Sequence, residues 1–159
     1  MTICYLGLGS NLGSPQRQLM LALTKLNKLP KSVLTKTSKC YCSQVAGSRA
    51  QPNYYNLVVE LSTSLSPAEL LRFCQRIEKQ HGRVRRKKWG ARTLDVDILI
   101  YGKRQMHTRQ LTIPHPRMLQ RDFVLVPLLS ITPQASLPNS TLISTHLEKC
   151  KRYIIREKS

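Results

Sequence analysis

Thr93-Leu94-Asp95-Val96-Asp97-Ile98-Leu99-Ile100-Tyr101 is the most strand-like segment of this 159-residue chain, and its two aspartates decide how the rest is read. A strand repeats every two residues, so Leu94, Val96, Ile98 and Ile100 are expected on one face and Asp95 and Asp97 on the other. Aspartate is disfavoured in strands, yet two of the three aspartates of the chain stand here, the third being Asp122. At about 7 Å apart along the backbone they repel one another and call for a counter-charge. Such a pair can converge on magnesium, which prefers a few carboxylates plus waters and phosphate oxygens. Two ions of this kind would clamp a transferring phosphoryl group. The competing reading is a solvent-facing strand whose aspartates pair with nearby Arg or Lys.

The residues just upstream weigh toward the first reading. Arg83, Arg85, Arg86, Lys87, Lys88 and Arg92 precede the pair, so phosphate donors and ligands for a counter-ion arise from one short segment. Arg83 to Lys88 holds five cations in six residues, too self-repelling for a core, and reads as a basic loop. Trp89, the only tryptophan, either stacks on a planar ring or anchors that loop.

Outward from this segment, Thr2 to Leu8 reads as a strand closed by Gly9-Ser10-Asn11. Pro15 opens a helix with Leu19, Leu23 and Leu26 at helical spacing. Val33 to Ser43 and Tyr54 to Leu65 read as strands flanking a polar loop. Ser66-Pro67-Ala68-Glu69 is a helix start, with Ser66 as N-cap, and Leu70, Leu71, Phe73, Cys74 and Ile77 form the expected buried stripe of a helix ending near Gly82. A loop through Leu111 to Pro116, an apolar segment from Phe123 to Ile131 and a short helix near Thr141 to Cys150 follow. Strand pairs joined too briefly for helical crossovers point to an α+β sandwich with a mainly antiparallel sheet, built as a single domain over residues 1–159.

Bulk properties narrow the function classes. No apolar run approaches a membrane span, and the first residues lack the basic and apolar regions of a signal peptide, so a soluble cytoplasmic protein is expected. Five cysteines without a Cys-x-x-Cys pair suggest buried thiols in a reducing compartment. The formal charge of +18 predicts an attraction for polyanions, whether phosphate, nucleotide or nucleic acid. Gly7-Leu8-Gly9 follows a strand, but the next glycine is Gly13 and the first acidic residue is Glu60, so a dinucleotide-binding fingerprint fails. No Walker loop is present either. A nucleic-acid module is the main rival, though 6% aromatic residues supply little stacking surface.

Trp89-Gly90-Ala91-Arg92-Thr93-Leu94-Asp95-Val96-Asp97-Ile98-Leu99 resembles the signature of the 6-hydroxymethyl-7,8-dihydropterin pyrophosphokinase family. Gly9-Ser10-Asn11-Leu12-Gly13, Gln51-Pro52-Asn53-Tyr54-Tyr55-Asn56 and Leu111-Thr112-Ile113-Pro114-His115-Pro116 resemble its other motifs, in the same order. The resemblance implies a ferredoxin-like fold, and transfer of the β,γ-diphosphate of ATP to the hydroxymethyl oxygen of the pterin in folate biosynthesis, with release of AMP. By position it implies Asp95 and Asp97 as ligands of two magnesium ions, and Arg83 and Arg92 as catalytic cations. For the pterin it selects Gly9, Ser43, Gln44, Ala46, Tyr54, Asn56, Trp89 and Phe123, with Tyr54 and Phe123 sandwiching the ring and Asn56 bonding its polar edge. For ATP it selects Gln75, Glu78, Arg85, Lys88, Trp89, Arg92, Ile98, Thr112, His115 and Arg121. Taken alone, Tyr54 and Phe123 read as core residues and His115 as a turn residue. Lys88, Gln110, Pro116 and Gln44-Val45-Ala46 depart from the family pattern. The partners expected are ATP and the hydroxymethyl dihydropterin, with the chain acting as a monomer and binding neither membrane nor specific nucleic acid.

Overall fold

Local chemistry sets where the two long helices begin. The computed structural model of the protein describes residues 1–44, 53–82 and 94–158. Helix α1 (Pro15–Leu26) starts on proline, whose fixed φ suits the first helical position, and buries Leu19, Ala22 and Leu26. Helix α2 (Pro67–Gln80) starts on the expected capping box. Ser66 Oγ accepts the Glu69 N–H at 3.2 Å and a Glu69 carboxylate oxygen accepts the Ser66 N–H at 3.0 Å. Its buried stripe is Leu70, Cys74, Ile77 and also Glu78, while Leu71 and Phe73 are half-buried.

The sheet is antiparallel at every pairing. Strand β1 (Thr2–Ser10) lies between β4 (Tyr54–Thr63) and β5 (Asp95–Tyr101), the last strand on that side among the described residues. On the far side of β4 lie β2 (Ser32–Thr37) and β3 (Cys40–Ser43), and β3 in turn pairs with β8 (Ile154–Lys158). A two-stranded ribbon of β6 (Met106–His107) and β7 (Thr112–Ile113) stands apart. Val33 to Ser43, expected as one strand, is broken at Ser38. That residue stays in register by another route, donating its N–H to Val58 O at 2.9 Å and accepting the Val58 N–H on its hydroxyl at 2.9 Å.

Both faces of the sheet carry a core. One cluster packs α1 and α2 on Cys4, Leu6, Leu8, Leu57, Val59, Leu61, Val96 and Ile98. The other packs helix α3 (Asp122–Ile131) and Met118 on Tyr5, Val58, Leu99 and Ile100. This corrects the alternation read from the sequence, which put Ile100 with Leu94, Val96 and Ile98. Tyr5 pairs with Ile100 but its neighbour Leu6 pairs with Ile98, so Leu99 is a bulge residue. One extra residue reverses the parity of everything after it: Leu99 and Ile100 face α3, and Tyr101 returns to the first cluster.

The apolar segment from Phe123 is helix α3, in spite of Pro127 within it. The helix expected from Thr141 to Cys150 shrinks to one turn, α4 (Ser144–Leu147). The closing strand β8 was not legible beforehand, because its apolar content is confined to Ile154 and Ile155 and its partner is distant in sequence. All five cysteines are free, and burial pushes the Cys4 thiol up to about 12 and the Cys74 thiol up as well, which keeps both unreactive.

Candidate active site

Glycine placement in β1 creates the site. Register puts Gly7 opposite Asp97 and Gly9 opposite Asp95 on one side, and Gly9 opposite Asn56 on the other. These residues share the face that α3 covers further along the sheet, through Tyr5, Val58 and Leu99. No side chain projects from either glycine between the aspartates of β5 and the polar residues of β4, which leaves a trough floored by backbone at Gly9 and closed at Gly7 by the Leu99 side chain. A methyl group at Gly9 would come to 3.0 Å from Asn56 Oδ1 and 3.7 Å from Tyr54 Cδ1, so the glycine is what lets Asn56 and Tyr54 approach the centre. Asn56 is buried and donates from Nδ2 to the equally buried Ser43 Oγ at 2.8 Å, which fixes the direction of its amide.

Asp95 and Asp97 are half-buried side by side at one wall of this trough. The strand that carries them is the sheet's outer one, and the buried Glu78 secures it by accepting the Val96 N–H at 2.9 Å. Arg121, in the segment before α3, lies within electrostatic range of the pair. Burial lowers its pKa, while the charges of Asp97, then Asp95 and Tyr54, act in the opposite direction. The same guanidinium lies 5.6 Å from the ring centre of Phe123. Carboxylates, cation and the two aromatic residues expected around a flat ligand thus converge from β4, β5 and the entry to α3.

His115 belongs to the same neighbourhood. Its N–H donates to Leu99 O at 2.8 Å, which ties the loop before α3 to the bulge of β5. Burial, reinforced by the charges of Arg121 and Arg117, depresses its pKa from 6.5 to about 4, so the ring is neutral at pH 7. The Arg117 N–H donates to its Nδ1 at 3.2 Å, which assigns the ring proton to Nε2 and makes that atom a donor.

Other residues singled out from the sequence are placed differently. Gln75 is exposed on α2, Thr112 is half-buried in β7, and Gln44 is exposed directly after β3. The Ile98 side chain is buried in the α1–α2 core, so only its backbone remains for any ligand. Ala46, Arg83, Arg85, Lys88, Trp89 and Arg92 lie outside the described residues. Two residues of consequence escaped the sequence reading. Gly7, opposite Asp97, gives Leu99 the room to pack against β1 at the closed end of the trough, and its spacing of two from Gly9 within a strand was the available signal. Asp122, noted only as the third aspartate, is buried and accepts the Tyr153 and Ile154 N–H groups at 3.0 and 3.1 Å.

The donor set suits a hard cation. Among the described residues no group of three or more His, Cys, Asp or Glu could form a closed metal cage. Two carboxylates at the wall of an open trough match magnesium, which keeps several waters and completes its shell with phosphate oxygens.

The chain is similar to known proteins over most of its length. The family model described as 7,8-dihydro-6-hydroxymethylpterin-pyrophosphokinase matches residues 5–133. A Haemophilus influenzae protein named 2-amino-4-hydroxy-6-hydroxymethyldihydropteridine pyrophosphokinase is 46% identical over 144 residues, covering 91% of this chain and 90% of its own. A Pseudomonas aeruginosa protein of the same name is 40% identical over 146 residues, covering 92% and 90%. Among solved structures, one titled as HPPK-DHPS in complex with substrates superposes with a TM-score of 0.71 at 12% identity, over 93% of this chain and 43% of that one. At that identity the likeness concerns the fold alone, and the chain spans less than half of the length of that structure.

Proposed function

This chain belongs to the 7,8-dihydro-6-hydroxymethylpterin-pyrophosphokinase family, and from that premise we propose that it transfers the β,γ-diphosphate of ATP to the hydroxymethyl oxygen of 6-hydroxymethyl-7,8-dihydropterin. AMP and the pterin diphosphate are the products, and the step belongs to folate biosynthesis. The observation that carries the reading is the glycine-floored trough, with Asp95 and Asp97 on one wall and Tyr54 and Asn56 on the other.

In this reading the flat pterin lies in the trough beside Tyr54 and Phe123. The Asn56 amide, oriented by Ser43, bonds its polar edge, and the main chain around Gly9, Ser43, Gln44 and Ala46, together with Trp89, completes the slot. The acceptor hydroxyl is thereby held toward the aspartate wall, where its oxygen bonds to the β-phosphorus as the bond from that phosphorus to the leaving AMP oxygen breaks. Asp95 and Asp97 would hold two magnesium ions, which would neutralise charge on the phosphates. Arg121, within electrostatic range of the aspartates, and the neutral Nε2–H donor of His115 bind phosphate oxygens. Arg83 and Arg92 supply further positive charge to the transferring group, while Gln75, Glu78, Arg85, Lys88, Trp89, Ile98 and Thr112 surround the nucleotide. No side chain becomes covalently modified, because positioning and electrostatics supply most of phosphoryl-transfer catalysis.

The finer architectural reading is a single ferredoxin-like domain over residues 1–159, acting as a monomer in the cytoplasm. It is supported by the strand order β5-β1-β4-β3 with α1 and α2 on one face, and no helix among the described residues is long and apolar enough to cross a membrane. Incubation of the protein with ATP, magnesium and the hydroxymethyl dihydropterin, with chromatographic detection of AMP, tests the activity. Folded protein that yields no pterin-dependent AMP refutes it.

A further inference from the structure

No motif of the family resemblance reaches beyond Phe123, yet one residue of the C-terminal segment touches the acceptor slot at Gln44 and Phe123 and is anchored beside it at Asp122. Tyr153 donates its N–H to the Asp122 carboxylate at 3.0 Å, and its carbonyl accepts the Gln44 N–H at 2.8 Å. Its ring meets Phe123 edge-to-face, with centroids 5.9 Å apart and planes at 71°. Asp122 and Phe123 open helix α3, and Gln44 follows the last residue of β3. The strand that begins after Tyr153 pairs with β3 up to Ser43, which pairs with Ile154. Tyr153 therefore joins the two segments that approach the slot from α3 and from β3, and these are separated by about half of the sequence.

We propose that Tyr153 is a positioning residue for the pterin acceptor: its ring packs edge-to-face with Phe123 and its carbonyl holds the backbone at Gln44, so that the two sides of the slot are set before the ligand arrives. This rests on the functional reading above. The Asp122 carboxylate supports the arrangement by fixing the Tyr153 and Ile154 N–H groups at the base of α3. Both aromatic rings contribute geometry here. An edge-to-face pair restricts the rotation of Phe123, and a ring held in its binding orientation loses less freedom when a flat ligand stacks on it. The bonds and ring contact of Tyr153 described above go to Asp122, Gln44 and Phe123, and the link toward the nucleotide side runs through Arg121, 5.6 Å from the Phe123 ring, so the larger effect should fall on the acceptor.

The experiment compares wild type, Tyr153→Leu, Tyr153→Phe and Asp122→Asn by calorimetric binding of the pterin in the presence of a non-hydrolysable ATP analogue, by binding of the analogue alone, and by steady-state AMP release. Tyr153→Leu is expected to weaken pterin binding about 2- to 12-fold, the range set by loss of one aromatic pair, with analogue affinity and kcat unchanged. Tyr153→Phe keeps the ring and is expected to behave as wild type. Equal losses for pterin and nucleotide, unchanged pterin affinity in Tyr153→Leu, or a Tyr153→Phe variant as impaired as the leucine one would each overturn the proposal. If Tyr153→Leu does not fold, Asp122→Asn decides: a pterin-selective loss supports the clasp and a uniform loss overturns it. Wild-type protein without pterin-dependent AMP release refutes the proposed function itself, a result distinct from all of these.

Discussion

Gly9→Ala isolates the trough from the rest of the molecule. The added methyl would stand 3.0 Å from Asn56 Oδ1, 3.7 Å from Tyr54 Cδ1 and 3.9 Å from Tyr55 O. Ordinary contact starts near 3.4 Å, so the Asn56 amide must withdraw by about 0.4 Å. Its bond to Ser43 Oγ starts at 2.8 Å, and a shift of that size strains or breaks it. A typical internal hydrogen bond contributes about 0.5–1.5 kcal/mol, and the methyl also raises the floor on which the flat ring would lie, so pterin binding should weaken by about 10-fold or more. Stability should change little. Gly9 is not among the glycines with positive φ, so alanine fits its backbone and removes freedom from the unfolded chain, worth about 0.4–1 kcal/mol against the steric cost. The assay is KM for pterin and for ATP together with the thermal midpoint. Gly7→Ala is the control, because the three atoms nearest its methyl would all belong to the Leu99 side chain, the first at 3.4 Å, an ordinary contact rather than a clash with the Asn56 amide. A Gly9→Ala protein with wild-type KM for the pterin, or with equal losses for both substrates, refutes the trough as the acceptor slot.

Three further outcomes are expected. Asp97→Ala should retain pterin binding but lose magnesium-dependent AMP formation, and unchanged turnover would remove this carboxylate from metal binding. His115 should titrate near 4 by NMR; a base whose folded pKa is depressed makes stability fall as pH drops from 6.5 to about 4, so His115→Gln should flatten the stability profile across that window. Tyr5→Phe removes the donor that bonds the buried Glu60 carboxylate at 2.7 Å and should cost about 1–3 kcal/mol at neutral pH in denaturant unfolding. Burial raises the Glu60 pKa, but the bonds from Tyr5 and Thr35 and the charge of Lys36 outweigh it and leave the pKa below 4.5. That stabilisation is present above 4.5 and is lost as pH falls through the folded pKa, so the gap between variant and wild type should narrow in acid.

Local pattern carried much of this protein in the sequence itself. Alternation through Val96 to Ile98 put the aspartates on one face, and Ser66, Pro67 and Glu69 set the start of α2, because period and capping depend on residues within a turn of each other. The ordered motifs were enough to name the family. Tertiary structure alone decided what depends on pairing between distant segments. The bulge at Leu99 moved Ile100 to the opposite face, since parity after an extra residue is set by the partner strand and not by the strand's own composition. Ser38 broke an otherwise continuous strand through bonds to Val58. Arg121 joined the aspartates, and Tyr153 met Phe123 and Gln44, across separations that no local periodicity records. Asp95 and Asp97 could be read as a charged face from the sequence, but the space beside them came from Gly9 on the neighbouring strand, whose register against β5 exists only once the sheet is formed.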